Sequence, residues 1–268
     1  MCKLLTEPMC RSINKIIIFV LLIRITPFMQ IKTTGIVLHT VKYSDSANIT
    51  TIYTRECGRV PYMVYGANKK KAVCRAAFLQ PLSIVDLEVT HHPGKEIQRI
   101  KEIKAGYLFA EIPFHPAKNA IALFLSEVLF RVLRQSEPDD ELFCFLEESI
   151  KTLDLSGEGT SNFHLIFLVK LTRFLGCSPN YEQENSGYFD LINGVFLRQR
   201  PIHTHYLIPD ISKNLLLLLN TDYGEIENAV FSRKQKIELL ESLVEYYKLH
   251  IPDFNGLHSL EVLQNVFD

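Results

Sequence analysis

Asn48-Ile49-Thr50-Thr51-Ile52-Tyr53-Thr54-Arg55-Glu56-Cys57-Gly58-Arg59-Val60-Pro61-Tyr62-Met63-Val64-Tyr65 is the stretch on which the fold turns. Residues 48–54 alternate, with Ile49, Thr51 and Tyr53 on one face, as a half-buried strand does. Arg55-Glu56-Cys57-Gly58 is a tight turn, and Val60–Tyr65 is a second strand, so the stretch is a β-hairpin. Upstream, Ile36-Val37-Leu38-His39-Thr40-Val41-Lys42-Tyr43 is β-branched and aromatic, and Ser44-Asp45-Ser46 carries turn chemistry. Downstream, Gly66–Lys71 breaks the pattern. Strand texture resumes at Ile84–Val89 within Leu79–Thr90, turns at His92-Pro93-Gly94, and runs on over Ile97–Leu108. Five short strands with one long loop after the third fit a small closed barrel of OB type, a small sandwich being the alternative.

The texture changes after Pro113. Ala120–Leu133 is apolar almost all round, which predicts a central buried helix. Further helices are expected from Pro138-Asp139-Asp140 to Leu153, at Phe163–Leu175 ahead of Gly176, at Asp210–Leu219 and at Lys234–His250. In Lys234–His250, Ile237, Leu240, Val244 and Tyr247 form the apolar stripe. Ser259 can cap a last helix whose Leu260, Leu263 and Val266 face the bundle. Residues 179–200 read as an irregular insert with a hairpin at Tyr188–Leu197. The expected organisation is an OB-type five-stranded β-barrel over residues 29–112, followed by an all-α domain over residues 113–268.

Residues 1–28 stand apart. Lys3, Arg11 and Lys15 precede the apolar run Ile16–Ile23, which Arg24 closes. Three readings compete: a signal-like leader, a membrane-surface anchor, and a non-native extension ahead of a start at Met29. The run is too short to span a bilayer and no A-x-A-like cleavage site follows, and the extension is preferred because the folded pattern begins right at Met29.

With 47% hydrophobic and 22% charged residues, whole-chain disorder is excluded. The formal net charge of −1 argues at first sight against nucleic acid. Its distribution reverses that. Residues 29–104 hold twelve basic and six acidic residues, whereas 105–268 hold thirteen and twenty-three. A basic barrel is thus joined to an acidic helical domain, and a positive barrel face suits a phosphate backbone. Arg55 lies at the hairpin turn, Arg59 on the third strand, and Lys69, Lys70, Lys71 and Arg75 in the loop after it. Three consecutive ammonium groups cannot be buried unpaired, so that loop is solvated. These six residues are the candidate DNA contacts. Tyr43, Tyr53, Tyr62, Tyr65 and Phe78 are rings on which bases can stack, although alternation turns about half of them inward.

Competing chemistry leaves fewer traces. The cysteines Cys2, Cys10, Cys57, Cys74, Cys144 and Cys177 are scattered without a C-x-x-C pair, which suits reduced thiols of a cytoplasmic protein. No metal and no cofactor are expected. His203-x-His205 lacks a nearby third ligand, and His91-His92 is a turn pair. The sequence contains no G-x-S-x-G, H-E-x-x-H or phosphate-loop motif, which weighs against a hydrolase.

Four stretches together resemble the RecO family of bacterial recombination mediators. They are Gly35–Leu38 with Tyr43-Ser44-Asp45 and Thr54–Arg59; Tyr65-Gly66 with the basic loop and Leu79-Gln80-Pro81-Leu82; Leu171–Gly176 with Pro179-Asn180; and Tyr246–His250 with Ser259–Leu263. The resemblance runs from Met29 to the C-terminus. It implies a non-enzymatic protein that binds single- and double-stranded DNA, anneals strands, and with RecR helps load RecA onto DNA coated by single-strand-binding protein. It implies a cytoplasmic, nucleoid-associated place and no membrane partner. It further implies an apolar groove with a basic rim on the helical domain for the acidic tail of single-strand-binding protein. Arg131, Lys170 and Arg173 are rim candidates, ordinary surface charge being the plainer reading. Many members carry four zinc-binding cysteines after the central helix. Here Gly176–Arg198 holds only Cys177, so a helical domain without a zinc site is expected, its hairpin held by Tyr188, Phe189 and Phe196. An exported or surface binding protein without a nucleic-acid role is the alternative, and it requires a working leader in residues 1–28.

Overall fold

The computed structural model describes residues 29–65, 76–92, 94–134, 137–157, 160–180 and 187–266. The leader-like residues 1–28 and the basic loop 66–75 lie outside them. Five strands close into a barrel: β1 (Met29–Ser44), β2 (Ala47–Thr54), β3 (Gly58–Tyr65), β4 (Ile84–His91) and β5 (Gln98–Ala105). Their order around the ring is β1-β2-β3-β5-β4, with β4 paired back to β1. All contacts are antiparallel except a short parallel one where Tyr62 and Met63 meet Gln98 and Arg99. This is the OB arrangement.

The first strand begins seven residues before the apolar signal at Ile36. It does so because it serves two partners: Met29–Ile36 pairs with β4 and Gly35–Ser44 with β2. The partners change over at Gly35, where a Cβ would stand 2.5 Å from the Ile52 side chain. A β-bulge after Val37 helps bend the strand round the barrel.

Val37, Ile52, Val60, Tyr62, Val85, Leu87, Val89 and Ile103 fill the barrel interior. The opposite face of the hairpin is buried too. Ile36, Tyr53 and Ile84 join the core of the helical domain, and Tyr53 stacks on Phe143 with centroids 6.2 Å apart. Burial on both faces is why Thr50–Thr54 reads as continuously buried rather than alternating.

The helical domain contains α1 (Pro116–Val132), α2 (Asp140–Leu155), α3 (Phe163–Phe174), α4 (Pro209–Leu219), α5 (Arg233–His250) and α6 (Ser259–Val266). Pro116 opens α1, and its Ile121, Phe124, Val128 and Leu129 are fully buried, as an all-round apolar helix requires. The Asp139 carboxylate accepts the Leu142 N–H at 3.0 Å and caps α2. Gly176, with φ of +70°, ends α3. Ser232 and Gln235 form a capping box at the start of α5.

Three local readings change. The hairpin β6 (Tyr188–Asp190) and β7 (Val195–Leu197) gains a third strand, β8 (Tyr206–Leu207). It is not held by its own rings alone, since Phe189 also packs on Tyr246 of α5. Ser259 does not act simply as a cap: its hydroxyl and N–H both donate to the Glu127 carboxylate, as does the His258 N–H, strapping α6 onto α1.

Candidate nucleic-acid interface

The outer face of β1–β3 is divided by what covers it. On one half, Arg59 pairs across the hairpin with Tyr53, and both lie under the helical domain. On the other half, among the described residues, the strands carry exposed side chains instead. Val41, Ile49 and Met63 make one cross-strand row, with Val41 50% exposed. At the strand ends, Ser44, Ala47 and Tyr65 make the next row with Tyr43 alongside; Tyr43 is 66% and Tyr65 57% exposed.

The exposure of the five rings is therefore decided. Tyr53 and Tyr62 are fully buried, Phe78 is half-buried, and Tyr43 and Tyr65 are open to solvent. Burial pushes the Tyr62 hydroxyl well up from its ordinary value, and it faces His91 Nε2 at 3.1 Å. In the sequence, Tyr65 is followed by the stretch that holds Lys69, Lys70, Lys71 and Arg75, all outside the described residues.

Arg55 and Arg59, the two candidates within the described residues, lie against the helical domain. Asp140, Phe143, Cys144 and Glu147 share one face of α2 by helical spacing, and Arg55 lies against all four. Its Nε is 3.3 Å from Asp140, and its Nη2 is 3.2 Å from Glu147 and 3.4 Å from the Cys144 sulfur. Its guanidinium sits 4.7 Å over the Phe143 ring. Arg59 donates to the Phe130 carbonyl at 3.0 Å and stacks on that ring at 4.4 Å. Both arginines clamp the barrel to the helices, and a phosphate would have to displace these partners. The sequence signal was available in part: Arg59 sits on the Tyr53 face of the hairpin, but only the docked domain shows that face to be covered. Arg55→Met is expected to lower stability by about 1–2 kcal/mol, through lost cation–π and ion-pair contacts, without changing the salt dependence of DNA binding. Urea unfolding alongside a salt-dependent titration checks this. An unchanged urea midpoint with a shallower salt dependence would return Arg55 to the DNA.

The far side of the barrel, β4–β5, is charge-balanced: Lys101 pairs with Glu88 and Lys104 with Glu102. On β1–β3, Lys42 is likewise paired with Asp45, so most of the positive excess of residues 29–104 belongs to Lys69, Lys70, Lys71 and Arg75, outside the described residues.

The three partner candidates are not brought together on one rim. Arg131 lines a cavity of about 680 Å³ between β1, α1 and α6, with Leu123, Phe130 and Val262 among its apolar walls. It is tied to Glu127 at 3.4 Å and to the Gly256 carbonyl at 2.8 Å. Lys170 on α3 is held by Asp222, and Arg173, one turn on, is exposed.

The two histidines just after the insert each have a carboxylate. His203 lies 3.2 Å from Asp190, and His205 lies 2.6 Å from Glu245. Among the described residues no group of three His, Cys, Asp or Glu side chains could hold a metal ion. Cys57, Cys144 and Cys177 are free thiols, and no described helix is long and apolar enough to cross a membrane.

An OB barrel with an open aromatic face, docked through its arginines on a helical domain, is an architecture that in other proteins often serves to bind single strands. Residues 29–109 match the family model for the N-terminal part of recombination protein O, and residues 114–261 match that for its C-terminal part. The chain is 41% identical over 237 residues to the DNA repair protein RecO of Phocaeicola vulgatus, covering 88% of this chain and 98% of that one. It is 41% identical over 239 residues to that of Bacteroides fragilis strain YCH46 (88% and 99%), and 33% identical over 245 residues to that of Porphyromonas gingivalis strain W83 (90% and 100%). The chain belongs to the RecO family of recombination and DNA-repair proteins.

Proposed function

We propose that this protein is a DNA-binding recombination mediator of the RecF-type pathway, and that single strands are captured on the open half of the β1–β3 face. Bases stack on Tyr43 and Tyr65 while Lys69, Lys70, Lys71 and Arg75 neutralise phosphates. The observation that carries this reading is the pair of open tyrosines at the end of the face from which the basic loop springs. Stacking tolerates any base, and cations track the backbone, so such a surface binds strands without choosing sequence. Holding two complementary strands close is what annealing requires.

With RecR, the protein would then help load RecA onto DNA coated by single-strand-binding protein, in the cytoplasm at the nucleoid. The cavity between β1, α1 and α6 is the apolar groove offered to the acidic tail of single-strand-binding protein, with Arg131 at its rim and Arg173 as a separate exposed cation. Duplex DNA would engage the same cations without the stacking.

Titration of a single-stranded oligonucleotide at several salt concentrations tests the reading. Binding should weaken with salt, with a slope of about −0.7 per phosphate contacted. Tyr43→Ala and Tyr65→Ala should each cost about 1–3 kcal/mol of single-strand affinity while leaving that slope unchanged, because a ring carries no charge. Binding that is absent at low salt, or indifferent to both tyrosines, would overturn the assignment of this face.

A further inference from the structure

The cross-strand row of Val41, Ile49 and Met63 does not end at β3. In the short parallel contact with β5, Met63 is the register partner of Arg99. Alternation fixes the faces. Tyr62 and Gln98, paired in the same contact, are both buried, so Met63 and Arg99 lie on the outer face, and Arg99 is exposed. Tyr65 stands two residues past Met63 on that face, which makes Arg99 its diagonal neighbour. Diagonal neighbours in a sheet are within reach of a long side chain.

The backbone under Arg99 is fixed from inside the barrel. The Gln98 side chain accepts the His92 N–H at 2.8 Å and donates to the carbonyls of His92 at 3.1 Å and Lys95 at 2.6 Å, which ties the β4–β5 connection to the start of β5. The guanidinium itself is uncommitted. On the same strand Lys101 is matched by Glu88 and Lys104 by Glu102, but among the described residues no carboxylate pairs with Arg99, the exposed Glu96 three residues earlier included. Arg55 and Arg59, by contrast, are taken up by the helical domain. An unpaired guanidinium beside open rings complements a strand that offers bases to stack and an anionic backbone to neutralise.

We infer that Arg99 is a phosphate contact of the single-strand site, and that the bound strand passes from Tyr65 over Met63 onto β5. The inference rests on the proposed capture of strands at Tyr43 and Tyr65.

Titration of the full-length chain with a single-stranded oligonucleotide at several salt concentrations tests it. Arg99→Gln should flatten the salt dependence by about 0.7, one phosphate, and weaken binding about fivefold at about 0.1 M salt. Arg99→Lys keeps the charge and should keep the slope. Lys104→Gln removes the same charge about 16 Å further along β5, beyond the Debye length of about 10 Å, and should change neither affinity nor slope. The urea midpoint should stay at the parent value in all three, since these side chains are exposed. An unchanged slope in Arg99→Gln overturns the contact. So does an equal loss in Lys104→Gln, which would mean that only net charge is felt. If Tyr43→Ala and Tyr65→Ala weaken binding while Arg99→Gln does not, the Arg99 contact fails and strand capture on the tyrosine face stands. If Arg99→Gln flattens the slope while both tyrosines are indifferent, the tyrosine face and the path from Tyr65 fail and the phosphate contact stands.

Discussion

Replacing Lys69, Lys70 and Lys71 together by alanine is expected to weaken single-strand binding about 100-fold at about 0.1 M salt, since three phosphate contacts at about −0.7 each make a slope of about −2. The same variant should flatten the salt dependence by about two units, and the curves of parent and variant should converge near 1 M salt. The argument rests on chain position and charge. The loop leaves β3 at Tyr65, beside the open tyrosines, and three adjacent ammonium groups have no low-energy place except in water or against anions. Stability should not change, so a fold defect cannot mimic the effect. A slope that stays the same would remove the loop from the interface, leaving the tyrosine face to be tested by itself.

Asp154→Ala is expected to destabilise the protein by about 3–5 kcal/mol, a large share of the roughly 5–15 kcal/mol that holds a typical domain. Asp154 is fully buried on α2. Its carboxylate accepts the backbone N–H groups of Ala110, Glu111 and Ile112 at 2.8, 2.9 and 2.9 Å, and the Tyr107 hydroxyl at 3.1 Å. These donors belong to the connection between the last barrel strand and α1, so one side chain pins the joint between the two domains. Removing it leaves the buried Ile112 N–H without its acceptor and also takes the acceptor from the N–H groups of Ala110 and Glu111. The buried ammonium of Lys118 reinforces the same joint, donating to the Asp154 carbonyl at 2.8 Å and to the Ser156 carbonyl at 2.5 Å. Urea denaturation reads the loss; a change under about 1 kcal/mol would mean that water replaces the carboxylate.

The same carboxylate makes a pH prediction. Burial by itself would raise the Asp154 pKa, but the N–H donors of Ala110, Ile112 and Glu111 and the Tyr107 hydroxyl outweigh it and hold it below the ordinary aspartate value. A native pKa below the unfolded one contributes stability that is fully present above about pH 4. That stability is lost as pH falls from there through the depressed native value. Acid unfolding of the parent should therefore begin below about pH 4, and the Asp154→Ala protein should show a shallower dependence in that window.

How much of this was legible beforehand differs by element. The hairpin at residues 48–65 and the run 120–133 carry their own periodicity, and both formed where the pattern put them. The early start of β1 was legible only in part: the folded pattern was placed from Met29, but the strand itself was read from Ile36, because Thr33-Thr34-Gly35 weakens the Met29–Lys32 alternation until its pairing with β4 is seen. Asp154 was invisible as a keystone, since an acid near a helix end looks like any solvated charge until its donors arrive from 42–47 residues away. Glu127 is hidden in the same way: its partners His258 and Ser259 come from the other end of the helical domain.

By itself, the sequence determined the division into a basic barrel and an acidic helical part, the strand and helix content of each, and the family. These follow from local periodicity and from composition, which need no knowledge of neighbours. Only the tertiary structure decided which charges and rings remain available. Alternation assigns Tyr53 and Arg59 to one face, and it cannot say that α1 and α2 will cover half of that face. Docking turned Arg55 and Arg59 into clamps between domains and left Tyr43 and Tyr65 in the open, because a side chain's role depends on what packs against it, and that partner is set far away along the chain.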